Sequence, residues 1–273
     1  MLKKIFSLPL ELYQNRKLIL TLAKNDFKTK YAGSYLGIVW AFIQPIVTVM
    51  VYWFVFGLLR GKNDQGVMGV PFVLWLIAGL VPWFFIQEAL VNGTNALLEY
   101  NYLVKKVVFK ISILPMVKVI SALFVHVFFV CFILVLYAIK GYYPDLYTLQ
   151  LVYYSFCAFI FILALSYLTS SVVIFFRDLT QIINIILQIG VWMTPIMWSF
   201  SDLGLEEGGI ISTILKLNPL FYIVNGYRDA LIGKVWFWSH GTLTLYFWGI
   251  TLVLFVLGGS LFKKLKIHFA DVL

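Results

Sequence analysis

The sequence predicts an all-α integral membrane protein with six transmembrane helices, and three observations carry that reading. Of its 273 residues 62% are hydrophobic and 12% charged, with a mean hydropathy of +0.93. That leaves less polar surface than a soluble domain of this size needs. Six uncharged runs, 31–59, 65–87, 119–139, 146–176, 179–201 and 235–262, are each long enough for one helix across ~30 Å of hydrocarbon and too short for two. Basic residues flank these runs. Six spans put both termini on one side, and 15 of the 21 Lys and Arg then fall on the side of the N-terminus, which gives N-in, C-in.

The elements follow in chain order as one domain, 1–273. Residues 1–32 begin with Lys3 and Lys4, but Pro9 and Glu11 break the following apolar stretch, so no cleaved signal is read. Leu8, Leu12, Ile19, Leu22, Ala23, Phe27 and Tyr31 recur at helical spacing, with Lys17, Lys24 and Lys28 on the other face. This is an amphipathic helix on the inner leaflet. The six-span bundle covers 33–264, with Pro82 and Pro195 as tolerated kinks, and 265–273 is a cytoplasmic tail. A short basic link, 99–112, joins the second and third spans. An outer segment, 202–234, joins the fifth and sixth.

Several chemistries are excluded. No G-x-x-x-x-G-K-[ST], H-E-x-x-H or G-x-S-x-G is present, and no Cys/His ligand spacing, so neither a catalytic nor a metal site is expected. The net charge of +9 is spread as topology signals rather than as an RNA-binding motif, which argues against nucleic acid. His126 lies mid-span without an acidic neighbour and reads as a helix-packing hydrogen bond ahead of catalysis. Glu88 falls nearer the membrane boundary than its centre and reads as an interfacial or packed carboxylate.

Within 202–234 lies "KLNPLFYIVNGYRDALIG", which is too apolar for an ordinary loop and too short to span. Asn218-Pro219 suits a helix break, with Asn as cap and Pro in the first turn of the next helix.

Specific strings then point to a family. "KYAGSYLGIVWAFIQPI" (30–46), "YWFVFG" (52–57), "VPFVLWLIAGLVPWFF" (70–85), "LVKKVVFKISILP" (103–115), "FFRDLTQ" (175–181), "WMTPIMW" (192–198) and "KLNPLFYIVNGYRDALI" occur in order across the chain. Together they resemble the membrane subunit of ABC-2 type polysaccharide exporters, the group that translocates lipid-linked teichoic acid and O-antigen. Phe109-Lys110 departs from the Phe-Pro often found there.

The resemblance implies an ATP-driven permease of the bacterial inner membrane that carries lipid-linked polysaccharide and has no chemistry of its own. It implies a homodimer joined by two separate ATPase subunits, which would hold the ATP and Mg; no cofactor is bound by this chain. The link becomes an ATPase coupling helix comprising Asn101, Tyr102, Leu103, Val104, Lys105, Lys106, Val107, Phe109 and Lys110, and the N-terminal helix an interface helix. Residues 202–234 become two short re-entrant helices gating the outer side, with Asn218, Pro219, Phe221, Tyr222, Tyr227 and Arg228 in the gate. The 18% aromatic content then suggests a sugar-stacking translocation path through Trp40, Tyr52, Trp53, Trp192 and Trp198 as well as the gate aromatics. Two other readings stay open: an ABC-2 permease for a small drug or lipid, and a membrane-embedded glycan transferase.

Overall fold

The computed structural model describes residues 7–60, 66–105, 109–200, 203–204 and 209–272. The chain opens with α1 (Ser7–Gln14) and α2 (Arg16–Lys30). As the apolar spacing requires, Leu8, Leu12, Ile19 and Ala23 are buried while Lys17, Lys24 and Lys28 are exposed. The buried face lies on the protein, however, with α2 packed along a later span.

Next come α3 (Trp40–Arg60) and α4 (Phe72–Glu99), then the single turn α5 (Asn101–Val104), and then α6 (Leu114–Ile139) and α7 (Gln150–Val173). Pro115 sits in the first turn of α6, where its missing N–H costs nothing. The 3₁₀ turn leading into α7 is fixed by a capping box. Thr148 N–H donates to Asp145 Oδ1 at 3.2 Å, and Asp145 N–H donates to Thr148 Oγ1 at 3.0 Å.

After α7 the chain forms α8 (Leu179–Met193), α9 (Ile210–Lys216), α10 (Pro219–Arg228) and the long α11 (Gly241–Leu265), and it closes with α12 (Phe269–Val272). The centre of the bundle is α4, packed on α6 and α7, with α11 laid along α7. By contrast α3 is peripheral: 6% of its apolar window is buried, against 78% for α4.

Two expectations are corrected here. Among the described residues five helical stretches, not six, are long and apolar enough to cross a membrane: Gly37–Phe56, Phe72–Glu99, Ile111–Ile139, Leu146–Val173 and Phe237–His268. The expected fifth span, 179–201, is only the 15-residue α8, about 22 Å long. It stops because Thr194 turns extended (φ −97°, ψ 120°) ahead of Pro195, which has no N–H to continue the helix. With the sixth span goes the even-number argument for N-in, C-in. The two terminal segments do share one end of the bundle, where Leu8 lies 4.0 Å from the position of a Cβ on Gly259.

The second correction concerns 202–234. Its two short helices break at Asn218-Pro219 as expected, and the Asn218 side chain accepts from Leu220 N–H at 3.0 Å. They are not re-entrant gate helices. In α10 the side chains of Phe221, Tyr222, Ile223, Val224, Tyr227 and Arg228 are buried against α4 and α7, so the residues expected to meet a passing ligand are bundle core.

Candidate functional site

A cavity of about 790 Å³ lies among α3, α4, α6 and α8, with the end of α2 at its mouth. From α3 it takes Trp40, Gln44, Thr48 and Tyr52, a four-residue spacing that forms one helical stripe. From α8 it takes Asn184, Leu187, Gln188 and Val191, again one face. The central helix α4 adds Trp83, Phe84, Gln87 and Asn92, and α6 adds His126 and Phe129.

Five of these groups, Gln44, Gln87, Asn92, Asn184 and Gln188, are uncharged amides. Each side-chain amide offers both donors and acceptors. In a chain of this hydropathy they mark a wall suited to a polar, uncharged ligand, and the interleaved aromatic rings supply flat apolar faces.

At the mouth Lys30 Nζ lies 2.5 Å from Glu88 Oε1, with the two side chains 37% and 25% exposed. Burial alone would lower the Lys30 pKa, but the Glu88 carboxylate beside it keeps it above its ordinary value. Glu88 is thus a paired carboxylate.

Deeper, His126 Nε2 is 2.9 Å from Tyr227 Oη and 3.2 Å from Ser155 Oγ, and the last two are 2.6 Å apart. These bonds tie α6, α7 and α10 together, which is the packing role read for His126.

Arg228 is the most constrained side chain of α10. It is buried, with its guanidinium carbon 3.4 Å from the Trp75 ring centroid. Nη1 donates to Pro195 O at 2.6 Å and Nη2 to Ile196 O at 2.9 Å. The carbonyls exposed where α8 breaks are therefore satisfied from a different helix.

The anticipated site residues divide. Trp40 and Tyr52 line the cavity, whereas Trp53 and Trp192 are 60% and 59% exposed and are not among its lining residues. Trp198 donates its indole N–H to Trp192 O at 3.0 Å and packs on Phe200, which in turn meets Phe221. Tyr222 and Tyr227 are buried, the former bonded to Tyr153 Oη at 3.1 Å and Thr244 Oγ1 at 2.9 Å. In the link, Asn101, Tyr102, Lys105 and Lys110 are exposed, Leu103 and Phe109 are half-buried, and Val104 is buried. Lys106 and Val107 lie outside the described residues.

Sequence reading missed the amides. Their signal was there, as paired polar positions four apart within apolar runs (Gln44 and Thr48, Asn184 and Gln188). It also missed a partly buried network at the start of the link. Lys118 Nζ lies 2.6 Å from Asp26 Oδ1 and 2.5 Å from Glu99 Oε2, and Tyr100 Oη donates to Asp26 Oδ1 at 2.7 Å. Burial, and next to it this bond to a carboxylate, hold the Tyr100 phenol above its usual pKa.

The chain is similar over nearly its whole length to proteins of known assignment. It is 26% identical over 265 residues to the O-antigen export system permease protein RfbA of Myxococcus xanthus, covering 96% of this chain and 97% of the relative. It is 28% identical over 260 residues to the O-antigen export system permease protein RfbA of Klebsiella pneumoniae, covering 94% and 95%. Residues 17–232, which include α3, α4, α8 and the whole cavity wall, match the model of the ABC-2 type transporter. The chain belongs to the ABC-2 type transporter family.

Proposed function

We propose that this chain is the permease subunit of an ATP-driven exporter that moves lipid-linked polysaccharide, of teichoic-acid or O-antigen type, across the bacterial inner membrane. The single observation that carries the reading is the α3–α8 cavity, where amides and aromatic rings alternate. A glycan presents hydroxyls that exchange hydrogen bonds with amides, and ring faces that stack on Trp and Tyr. The names of the two relatives point the same way.

By family the chain is a multi-pass transport subunit and not an enzyme. Our reading adds a second copy and two ATPase subunits. The second copy would cover the apolar flank of α3, where Met50, Trp53 and Phe54 are all more than half exposed. The ATPase would take the exposed link, with Tyr102 and Lys105 as its contacts. Trp40 and Tyr52 belong to the glycan path in this scheme, and Trp53 and Trp192 to the flank around it.

The test is depletion of the protein in its native host, followed by extraction of polyprenyl-linked material from the cytoplasmic side. Accumulated polymer with about one phosphate per repeat means a teichoic-acid-type cargo, and phosphate at the lipid anchor alone means an O-antigen-like glycan. Absence of any lipid-linked polymer overturns the reading in favour of a small-substrate permease.

A further inference from the structure

A second cavity of about 600 Å³ lies on the opposite flank, between the α1–α2 pair and α6, α7 and α11. Its body is hydrocarbon, lined by Leu12, Ile120, Ile160, Leu163, Leu252 and Phe255. The two polar side chains in the body are committed elsewhere. Thr251 donates to Phe247 O at 2.7 Å, and Trp248 Nε1 donates to Tyr153 Oη at 3.1 Å. An apolar cavity of this kind does not hold water, because a buried water needs two or more polar partners.

Its one charged lining residue is Arg16, which is exposed, on the α1–α2 pair whose Leu8 packs towards Gly259 of α11. The guanidinium lies 4.5 Å from the Tyr13 ring centroid and donates from Nη1 to Tyr13 O at 3.1 Å. These contacts hold an exposed cation beside the groove, and the planar guanidinium fork, with five N–H donors, matches a phosphate.

We propose that this groove is a binding site for one anionic phospholipid, its acyl chain between α2 and α11 and its phosphate on Arg16. A dry hydrocarbon slot with a single exposed cation beside it is complementary to an anionic amphiphile, with the head at the membrane boundary and the tail inside. The lipid would tie the interfacial helices to α11. The site lies apart from the α3–α8 cavity and does not depend on what that cavity carries.

Native mass spectrometry of the purified chain in detergent, with phosphatidylglycerol and phosphatidylcholine of the same acyl chains added in competition, tests the site. Wild type is expected to retain one phosphatidylglycerol per copy with about fivefold preference, the ratio expected for one basic residue at an anionic lipid surface. Arg16→Gln should erase the preference, while Lys17→Gln, one residue along and also exposed, should keep it. Ile160→Trp, at a half-buried wall position, should expel both lipids. A thermal melt of each variant in lipid-free detergent checks folding. Equal retention of the two lipids by wild type, an unchanged preference in Arg16→Gln, or equal losses in Arg16→Gln and Lys17→Gln would overturn the proposal. So would undiminished binding in Ile160→Trp.

Discussion

Arg228 lies flat on Trp75, guanidinium carbon to ring centroid 3.4 Å, and from there it donates to the carbonyls of Pro195 and Ile196. One side chain of α10 therefore closes the broken end of α8 against α4. Gly79 leaves room for it, since a Cβ there would stand 2.9 Å from Nη2.

Replacing Arg228 tests that closure. Arg228→Met strands two buried carbonyls, each worth about 1–3 kcal/mol, so a loss of about 2–6 kcal/mol is expected, read as a lowered unfolding midpoint in detergent. Arg228→Lys should fall between the two, because one ammonium cannot reproduce a stacked fork that reaches two carbonyls.

The network at Lys118 makes a second prediction. Lys118→Met leaves Asp26 buried without its cation, at a cost of about 3–5 kcal/mol. The double change with Asp26→Asn should recover much of that, a non-additivity that a mutant cycle measures directly. Glu99, with a half-exposed side chain, should matter little by itself. Because Glu99 and Tyr100 open the link, Lys118→Met should also weaken co-purification of the ATPase partner.

Helix approach gives a third. A Cβ on Gly258 of α11 would stand 2.9 Å from Ala164 O and 3.0 Å from Leu168 N of α7, whereas one on Gly249 meets nothing within 4 Å. Gly258→Ala should lower the melting midpoint, with a penalty of about 1–3 kcal/mol for forcing two backbones apart. Gly249→Ala should leave the midpoint unchanged or raise it slightly.

A fourth concerns pH at the end of the bundle away from the termini. Slight burial pushes the Asp145 carboxyl up, but Lys234 Nζ at 2.9 Å and the Thr148 N–H outweigh it and hold the pKa below the ordinary carboxylate value. A depressed folded pKa stabilises fully above the unfolded value, about 4, and the effect is lost as pH falls through the folded one. Wild type should therefore lose a small increment of stability in strong acid that Asp145→Asn lacks, seen as converging melting midpoints below about pH 4.

Sequence reading reached five of the spans because long uncharged runs directly reflect the hydrocarbon thickness. It failed at 179–201 because Thr194-Pro195 is as uncharged as the helix it ends, so counting charges is blind to a backbone break. Arg228 misled in the opposite sense: the resemblance placed it in an outer gate, yet its partners are carbonyls 32 and 33 residues away. At the site, Trp40 and Tyr52 were legible as aromatics of the first span. Trp53 and Trp192 were not separable from them, because composition does not say which way a peripheral helix is turned. Lys118 and Asp26 are 92 residues apart, and no local pattern announces such a pair.

The most direct test of the proposed glycan path is transport itself. The permease and its ATPase partner are reconstituted in proteoliposomes with lipid-linked glycan on the ATPase side, and exposure of the glycan to a glycosidase on the opposite side is followed after ATP is added. The account predicts ATP-dependent exposure by wild type, reduced about fivefold or more in Gln44→Leu/Gln188→Leu, since two lost hydrogen bonds at about 0.5–1.5 kcal/mol each sum to about 1–3 kcal/mol. Wild-type rates in that double variant, with folding intact, would contradict it.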